Sequence, residues 1–533
     1  MKKIQSLICL LATLALCLSA MAAPVGAEGA DLEPVTITMA SWDVPVLCEN
    51  SDEFTQEGGK YYDPRWVAAA EKFNVRFEYV PLEYNTHQEK LRVMINGDDM
   101  PDVMLSTLGV TEYRSYVEDG LLELLPEGYE ENYPNIKDNL DMIKQRDAYK
   151  VDGQYYAIPR ALESSEPYVD YMGSFYYRKD LAKAAGIEIK DYYTIDELFD
   201  MFTAVKAQNP DMLMFNHLWP DSMLQLGLYQ AVPEITNTPF YYDEEKGEYV
   251  WAFGDERLVE GIKTFKKFYD AGFLDNEFFT KPAYESRNQF NTNILFSCFD
   301  GFDLLFYNQM RTSYLGVNAG ADVDEIIGYA YLLDNDGAIQ AREAGNSWSE
   351  YIFRHDVDEK VRDRFLMIYD WLLSEDGIRL CYFGREGVDY EIKDGEIVSL
   401  RQIDEITGKP VPFNVDGEHV SDLVHPLFPG AMEDSKLGSM KPEYPQIVKD
   451  VVHHYWDLRK GFEPLKVQKF DLELSMFQGD FYSKYSLKPV DAIYKIIFEQ
   501  KADGVEAAWN AYLKSCEAQI SNILKELNEG IHR

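Results

Sequence analysis

The chain has 533 residues, of which 46% are hydrophobic and 27% charged, a composition that excludes wholesale disorder and allows two to four domains. Asp and Glu total 92 against 51 Lys and Arg, so the formal net charge is -41. A surface this acidic repels phosphate backbones and anionic lipid headgroups, which argues against binding to nucleic acid or to a membrane surface.

The N-terminus has the pattern of an export signal. Two lysines precede the apolar run 4–18, and small residues follow it. We predict that residues 1–27 are a signal peptide cleaved after Ala27, with cleavage after Ala22 as the alternative. The apolar run is short for a membrane span, so we expect the mature chain to be exported and soluble.

The cysteines argue against a lipid anchor and against a metal ribbon. Cys17 follows the bulky Leu16, where lipid attachment needs a small residue. The four cysteines of the mature chain lie far apart and form no Cys-x-x-Cys, so zinc-ribbon and redox motifs are excluded. Export permits disulfides, but we favour buried free thiols. These four are Cys48, Cys298, Cys381 and Cys516.

Strand-like and helix-like segments alternate at the start of the mature chain. This order predicts a parallel, doubly wound sheet, in which ligands bind beyond the carboxyl ends of the strands. The loops that follow the strands are therefore candidates for ligand contact. The predicted strands are 35–40, 75–80 and 102–105, and the predicted helices are 64–73 and 86–95.

A second α/β unit is predicted after Pro159. The pattern from Thr194 to Glu197 is a capping box that opens a helix. Apolar stripes at helical spacing in several later segments predict core helices rather than binding surface. Residues 385–445 are rich in Gly and Pro and predict hairpins and an irregular insertion. The other predicted elements are strands 173–178 and 293–300 and helices 258–270, 358–373 and 505–527.

Short catalytic and metal-binding motifs are absent from the sequence. It has no nucleophile elbow, no His-Glu-x-x-His and no phosphate loop. His453 and His454 are adjacent and point apart on a helix, which makes a poor chelate. The segment 334–337 resembles part of a calcium loop, but its register places Leu332 as the first ligand, so a solvated turn is the better interpretation. We predict no catalytic residues, metal or cofactor.

Several stretches, in a shared order over most of the mature chain, resemble the extracellular solute-binding proteins of carbohydrate ABC transporters, family 1, in the lipoprotein-type branch of Gram-positive bacteria. The chain departs from that branch in lacking its lipid-attachment motif. The matching stretches are 100–103 (MPDV), 120–125 (GLLELL), 152–160 (DGQYYAIPR), 177–186 with 194–198 (YRKDL and TIDEL), 370–377 (DWLLSEDG) and 384–390 (GREGVDY).

The resemblance implies a two-lobed, periplasmic-binding-protein-like α/β fold of type II. Each lobe would be a mostly parallel sheet flanked by helices, and a hinge would join the two. It also implies a monomer that binds a carbohydrate, without chemistry on it, and delivers it to permease subunits. The chain should cross between lobes near Pro159, near 293–299 and after Leu373. Lobe 1 would comprise 28–160 with 296–375, and lobe 2 would comprise 161–295 with 376–533.

Candidate ligand residues are aromatic groups that stack on sugar faces and polar groups that match hydroxyls. They come from the strand-end loops, the second lobe and the crossing segments. Each has a structural alternative: core packing for the tryptophans, an ion pair for Arg160 and a helix cap for Asp300. The candidates are Trp42, Asp43, Tyr84, Ser106, Thr107, Arg160, Trp219, Asp300 and Trp348.

Three other functions remain open from the sequence. The first is a binding protein for a peptide or a polyamine, because an acidic cleft would favour a cation. The second is a secreted carbohydrate-active enzyme, since such enzymes often lack short signatures. The third is a surface sensor or adhesin on the same fold.

Overall fold

The computed structural model describes residues 32–41, 70–83, 86–108, 110–144, 146–161, 168–218, 222–235, 240–282, 285–343, 347–403, 414–415, 418–419, 444–468, 474 and 487–530. The predicted signal peptide and Cys48 lie outside these residues, as does the predicted helix 64–73 apart from its last turn.

The strands, in chain order, are β1 (Val35–Ser41), β2 (Val75–Pro81), β3 (Val103–Ser106), β4 (Lys150–Val151), β5 (Gln154–Tyr155), β6 (Ala157–Ala161), β7 (Tyr168–Arg178), β8 (Tyr192–Tyr193), β9 (Leu213–His217), β10 (Phe240–Asp243), β11 (Glu248–Trp251), β12 (Leu295–Phe302), β13 (Ile327–Leu332), β14 (Ile339–Glu343), β15 (Ser347–Phe353), β16 (Tyr390–Lys393), β17 (Glu396–Ser399), β18 (Asn414–Val415), β19 (Glu418–His419) and β20 (Leu465–Gln468).

The helices are α1 (His87–Asn96), α2 (Val110–Glu118), α3 (Tyr129–Asn132), α4 (Pro134–Met142), α5 (Lys179–Ala184), α6 (Ile195–Gln208), α7 (Gln225–Ala231), α8 (Leu258–Asp270), α9 (Glu285–Asn291), α10 (Leu304–Val317), α11 (Val323–Ile326), α12 (Glu359–Leu372), α13 (Glu375–Phe383), α14 (Gln446–Gly461), α15 (Pro489–Glu499) and α16 (Val505–Gly530).

The first sheet has five strands in the order β2-β1-β3-β15-β6. β1 pairs in parallel with β2 and β3, whereas β15 pairs antiparallel with β3 and β6. Four of these strands therefore run in one direction. β3 and β6 are buried along their whole length, which explains why their sequences are almost continuously apolar rather than alternating.

The second sheet has seven strands, with the path β20-β14-β7-β12-β9 and with β13 and β8 beside it. β7 pairs antiparallel with β12, β13 and β14, and the other pairs are parallel. Among its described strands, only β7 therefore runs against the rest. Both sheets are mostly parallel in direction, as predicted, and each makes the centre of one α/β lobe.

Each sheet has its own core, and the alternation of side chains along β7 shows how the second one is layered. Phe175 and Tyr177 point into a cluster that includes Trp509 of α16. Tyr176, between them, points into a cluster on the other face that includes Trp456 of α14. Helices thus cover both faces of the sheet, and the apolar stripe predicted around Trp509 is core.

The strand pairing differs from the expected division of the chain. β12 was expected to lead back into the first lobe, but it pairs with β7 and β9 in the second sheet, and the return lies between β14 and β15. Phe383, Tyr390 and Ile397 pack on the first core, although the expected boundary assigns them to the second lobe. β12 is buried at every position, so its apolar sequence suits either sheet and does not report its neighbours.

Two local predictions are confirmed, and one needs correction. Thr194 and Glu197 form the capping box at the start of α6. The β16–β17 and β18–β19 pairs are the hairpins expected within 385–445. The turn at 334–337 is not simply solvated: Asp334 is buried, and Nζ of Lys466 lies 2.7 Å from carboxylate oxygens of both Asp334 and Asp336.

Cys298, Cys381 and Cys516 are buried, and none of these three described cysteines forms a disulfide bond, in agreement with the prediction. Within the described residues, no helix combines the length and the apolar character that crossing a membrane requires.

Candidate ligand-binding site

The carboxyl ends of the parallel strands in the first sheet form a polar edge, which we call the first strand-end edge. β3 ends at Ser106 and β6 at Ala161, and β15 begins at this edge because it runs in the opposite direction. Ser347 pairs with Ala161, and Glu350 pairs with Ser106. Hydroxyl, guanidinium and carboxyl groups therefore meet where ligands bind in open α/β sheets.

Ser106 and Thr107 lie at this edge, as the sequence predicts. Oγ1 of Thr107 is 2.6 Å from Nε2 of His87 and accepts a 3.1 Å hydrogen bond from Nε2 of Gln88. Gln88 also donates to the Thr107 carbonyl at 3.1 Å. Thr107 is half-buried, whereas Ser106 is buried and its Oγ accepts from the Leu108 N–H at 3.1 Å. The first turn of α1 thus fixes the segment 106–108.

Arg160 is fully buried in β6, and its Nε donates a 2.7 Å hydrogen bond to Oγ of Ser349. The guanidinium carbon lies 5.7 Å from the centre of the Tyr351 ring. The β6–β15 register shifts between Ser347 and Glu350, and Ser349 has a φ of 66°. This β-bulge holds a non-glycine residue in the left-handed region, a strained geometry that is typical of functional sites.

Glu350 is a candidate site residue that sequence reasoning missed. Its side chain is 3% exposed, and burial raises the pKa of its carboxyl group to about 7. Hydrogen bonds from the Ser106 hydroxyl and the Leu108 N–H, together with the positive charge of Arg160, act in the opposite direction. Only its place opposite Ser106 distinguishes this glutamate, and no sequence pattern reports that pairing.

Two buried tyrosines complete the floor of this edge. Oη of Tyr113 donates to the Tyr149 carbonyl at 2.9 Å and accepts from the Tyr156 N–H at 2.9 Å. Oη of Tyr149 is 2.6 Å from Oγ of Ser347. Burial raises the pKa of both phenols well above the ordinary value, so they stay protonated and keep these hydrogen bonds.

Asp300 lies near the carboxyl end of β12 in the second sheet and is 1% exposed. It accepts hydrogen bonds from Nε and Nη2 of Arg287 at 2.6 and 2.8 Å, and its Oδ1 also accepts from the Gly301 N–H. The helix cap that was the alternative for Asp300 is supplied by Asp303 instead. Asp300 is therefore engaged in a bidentate ion pair, and its contact with a ligand stays a prediction.

The end of β9 adds further polar groups close to β12. Nδ2 of Asn216 donates to Oε1 of Gln289 at 2.8 Å, and Nε2 of His217 is 3.0 Å from Oε1 of Gln225 in α7. α7 is kinked at Gly227, which has a φ of 94° and packs against Gly261 of α8. The kink allows α7 to approach α8 closely and so fixes Gln225 beside the strand end.

The other predicted site residues cannot be placed. Trp348 is the second residue of β15, but its side chain is outside the described part of the structure. Among the described residues, no group of three or more His, Cys, Asp or Glu side chains is arranged to hold a metal ion. The candidates that lie wholly outside the described ranges are Trp42, Asp43, Tyr84 and Trp219.

A groove of about 320 Å³ lies between the β10–β11 hairpin and α16. Tyr241, Trp251 and Leu524 line it, and it shares no residue with the strand ends described above. It is therefore separate from the candidate site.

Residues 67–291 match the family model described as bacterial extracellular solute-binding protein. The predicted resemblance is confirmed. A search of the curated proteins finds no match. The family is one of binding proteins rather than enzymes, and its description implies that its members are exported.

Solved structures of substrate-binding proteins share the fold over almost the whole chain. The alginate-binding protein AlgQ2 aligns with a TM-score of 0.63 at 16% identity, covering 94% of this chain and 99% of its own. FusA, an ABC-transporter substrate-binding protein of Streptococcus pneumoniae in complex with fructo-nystose, aligns at 0.61 and 13% identity, covering 93% and 98%. A solute-binding protein of Bifidobacterium longum infantis that binds HMO aligns at 0.60 and 15% identity, covering 94% and 98%. The two-lobed fold is therefore the one predicted.

Proposed function

We propose that this chain is the extracellular solute-binding component of an ABC importer, which holds an oligosaccharide between its lobes and delivers it to a membrane permease. The observation that carries the proposal is the structural match, over almost the whole chain, to an alginate-binding protein, to a substrate-binding protein in complex with fructo-nystose and to an HMO-binding protein. The family match over 67–291 supports the solute-binding part of it.

The chemistry of the first strand-end edge supports a sugar as the ligand. Ser106, Thr107 and Arg160 supply donors, and Glu350 supplies an acceptor, within one short stretch of sheet edge. Sugars carry hydroxyl groups that both donate and accept, so such a mixed set suits them. The tryptophans at 42, 219 and 348 are the aromatic surfaces that we propose to stack on the sugar rings.

The connections between the sheets support a hinge. β6 and β15 pair up to Ala161 and Ser347, and β7 and β14 pair from Tyr168 and Glu343. The chain thus passes from β6 to β7 and returns from β14 to β15, and the strand ends at the two passages are paired neighbours, so a small change at both can rotate one lobe against the other. The lobes that we propose are 32–161 with 347–399, and 168–343 with 444–530.

Closure of these lobes around the ligand is the proposed signal to the permease. A ligand that touches both lobes favours the closed state by its additional contacts there. We propose that the ligand leaves chemically unaltered, that the protein works as a monomer without nucleic acid or cofactor, and that residues 1–27 direct its export without a lipid anchor.

Titration calorimetry tests the proposal. The panel contains kestose, Man5GlcNAc, a human milk oligosaccharide and an alginate oligosaccharide, with a peptide library and spermidine as non-sugar ligands. We expect at least one sugar to bind with a Kd of about 1 μM, which is about -8 kcal/mol. Binding of the peptides or spermidine alone would contradict the sugar ligand, and sugar cleavage after long incubation would contradict a pure binding role.

A further inference from the structure

Glu350 occupies the centre of the first strand-end edge. It pairs with Ser106 of β3 on one side and with Pro159 of β6 on the other. The Ser106 hydroxyl and the Leu108 N–H hydrogen-bond its carboxyl group, whereas its Oε1 has no hydrogen-bond partner among the described residues. The buried carboxyl group of Glu350 therefore holds the segment 106–108 by hydrogen bonds, while its Oε1 accepts none from the described residues.

Charged side chains on two neighbouring elements act on Glu350. Arg160 of β6 favours the ionised carboxylate, whereas burial and the negative charge of Glu112 on α2 favour the neutral acid. The negative charge of Glu350 also helps to raise the pKa of Tyr113 and Tyr149, although burial is the main cause for both. The balance raises the pKa of Glu350 to about 7. His87, whose Nε2 lies 2.6 Å from Oγ1 of Thr107, is another ionisable side chain beside this segment.

Ionisation changes how firmly this carboxyl group holds the segment. Both of its hydrogen bonds lower its pKa, so both are stronger to the carboxylate than to the neutral acid. Thr107, in the middle of the held segment, is half-buried and presents a hydroxyl at the edge. A loss of the negative charge therefore loosens a group that we propose to contact the ligand.

We propose that Glu350 is a positioning residue for the ligand: its ionised form fixes the segment 106–108, and the affinity for the sugar therefore rises as the pH increases through neutrality. This inference rests on the proposed function, because it concerns the same site. Neither the family match nor the sequence assigns a role to this residue.

The first test needs no sugar. Hydrogen exchange of a peptide covering 106–108 is compared between the wild-type chain and Glu350→Gln near pH 8, where the wild-type residue is ionised. We expect exchange about tenfold faster in the variant, because a neutral amide replaces a charged acceptor. Equal exchange in the two proteins would overturn the inference, whatever the ligand is.

The second test measures the Kd of the tightest-binding sugar of the panel near pH 6 and near pH 8. We expect the wild-type affinity to rise about tenfold and that of Glu350→Gln to change less than about twofold. His87→Gln tests whether the imidazole beside Thr107 causes the pH dependence instead, and we expect the dependence to persist in this variant even if the affinity itself changes. A dependence that vanishes with His87→Gln and survives Glu350→Gln would overturn the inference.

The outcomes separate the inference from the function on which it rests. A wild-type chain that binds a sugar with the same affinity at both pH values contradicts the inference alone. A wild-type chain that binds no sugar contradicts the proposed function as well. If Glu350→Gln does not fold, Ser106→Ala takes its place: we expect a larger loss of affinity near pH 8 than near pH 6, and an equal loss at both overturns the inference.

Discussion

The two sheets both carry a buried carboxyl group near their strand ends, but they satisfy it differently. Asp300 in the second sheet takes two hydrogen bonds from Arg287 and so has a full counter-charge. Glu350 in the first sheet is held by a hydroxyl and a backbone N–H, and one of its oxygens has no hydrogen-bond partner among the described residues. We therefore expect Asp300 to stabilise the second lobe through its ion pair, and Glu350 to change its charge with pH at the first strand-end edge.

The largest effect is expected where the counter-charge is removed. Arg287→Met leaves the buried carboxyl group of Asp300 without its ion-pair partner, and we expect the free energy of unfolding to fall by about 3–5 kcal/mol. Urea denaturation monitored by fluorescence measures it. The matched control is Lys360→Met, which breaks an ion pair with Glu33 whose side chains are 72% and 77% exposed, and it should leave the free energy of unfolding almost unchanged. Similar losses in both variants would contradict the structural role of the Arg287–Asp300 pair.

The next effect is the pH dependence of stability that Glu350 imposes. Its pKa is about 7 in the folded protein, against 4.5 ordinarily, so the folded state holds the proton more tightly. Proton binding by Glu350 therefore stabilises the folded protein by about 3 kcal/mol when the pH is below the pKa of this group in the unfolded chain. This stabilisation is lost as the pH rises through 7.

This contribution is measured by denaturing the wild-type chain and Glu350→Gln near pH 5 and near pH 8. The quantity of interest is the difference in free energy of unfolding between the two proteins at each pH. We expect the variant to gain about 3 kcal/mol relative to the wild-type chain over that interval. A constant difference between the two proteins would show that Glu350 does not titrate there.

The contact between Gly227 of α7 and Gly261 of α8 tests how closely these two helices pack beside the end of β9. A Cβ on Gly227, whose φ is 94°, would lie 2.9 Å from the Gly261 carbonyl oxygen, so Gly227→Ala should cost about 2 kcal/mol. Gly316→Ala in α10 is the control, because its Cβ would meet nothing within 4 Å, and it should stabilise by up to about 1 kcal/mol. Thermal unfolding compares them, and an equal effect of both would contradict the close helix contact.

The smallest effect concerns the Ser106 hydroxyl. Ser106→Ala removes one of the hydrogen bonds that lower the pKa of Glu350, so the midpoint of the pH-dependent stability should move to higher pH. The affinity for the sugar near pH 8 should fall about fivefold, as for the loss of one hydrogen bond. Calorimetry and pH-dependent denaturation measure the two effects, and an unchanged midpoint would remove Ser106 from the link to Glu350.

Local patterns in the sequence predict the elements well. The strand at 75–80, the helix at 258–270 and the capping box at Thr194 all lie where they were expected. Each depends on the period of apolar residues or on the chemistry of a few neighbours, which a sequence displays directly.

Sequence patterns do not indicate which distant segments of the chain pair with each other. β12 was assigned to the wrong sheet because eight buried residues suit any central strand. Glu350 was missed because its importance comes from Ser106 and Arg160, which are far away in the chain. Asp300 was chosen because it lies on a predicted crossing segment, but nothing in the sequence indicates that Arg287 pairs with it. Ser106 and Thr107 were correctly predicted to lie at the end of a strand, because that position depends only on local elements.

Small-angle X-ray scattering with and without a saturating sugar from the panel tests the central claim most directly. The account predicts that the radius of gyration falls when the sugar binds, because the two lobes close on it. An unchanged scattering curve, at a sugar concentration at which calorimetry shows full occupancy, would contradict a function based on closure of the lobes.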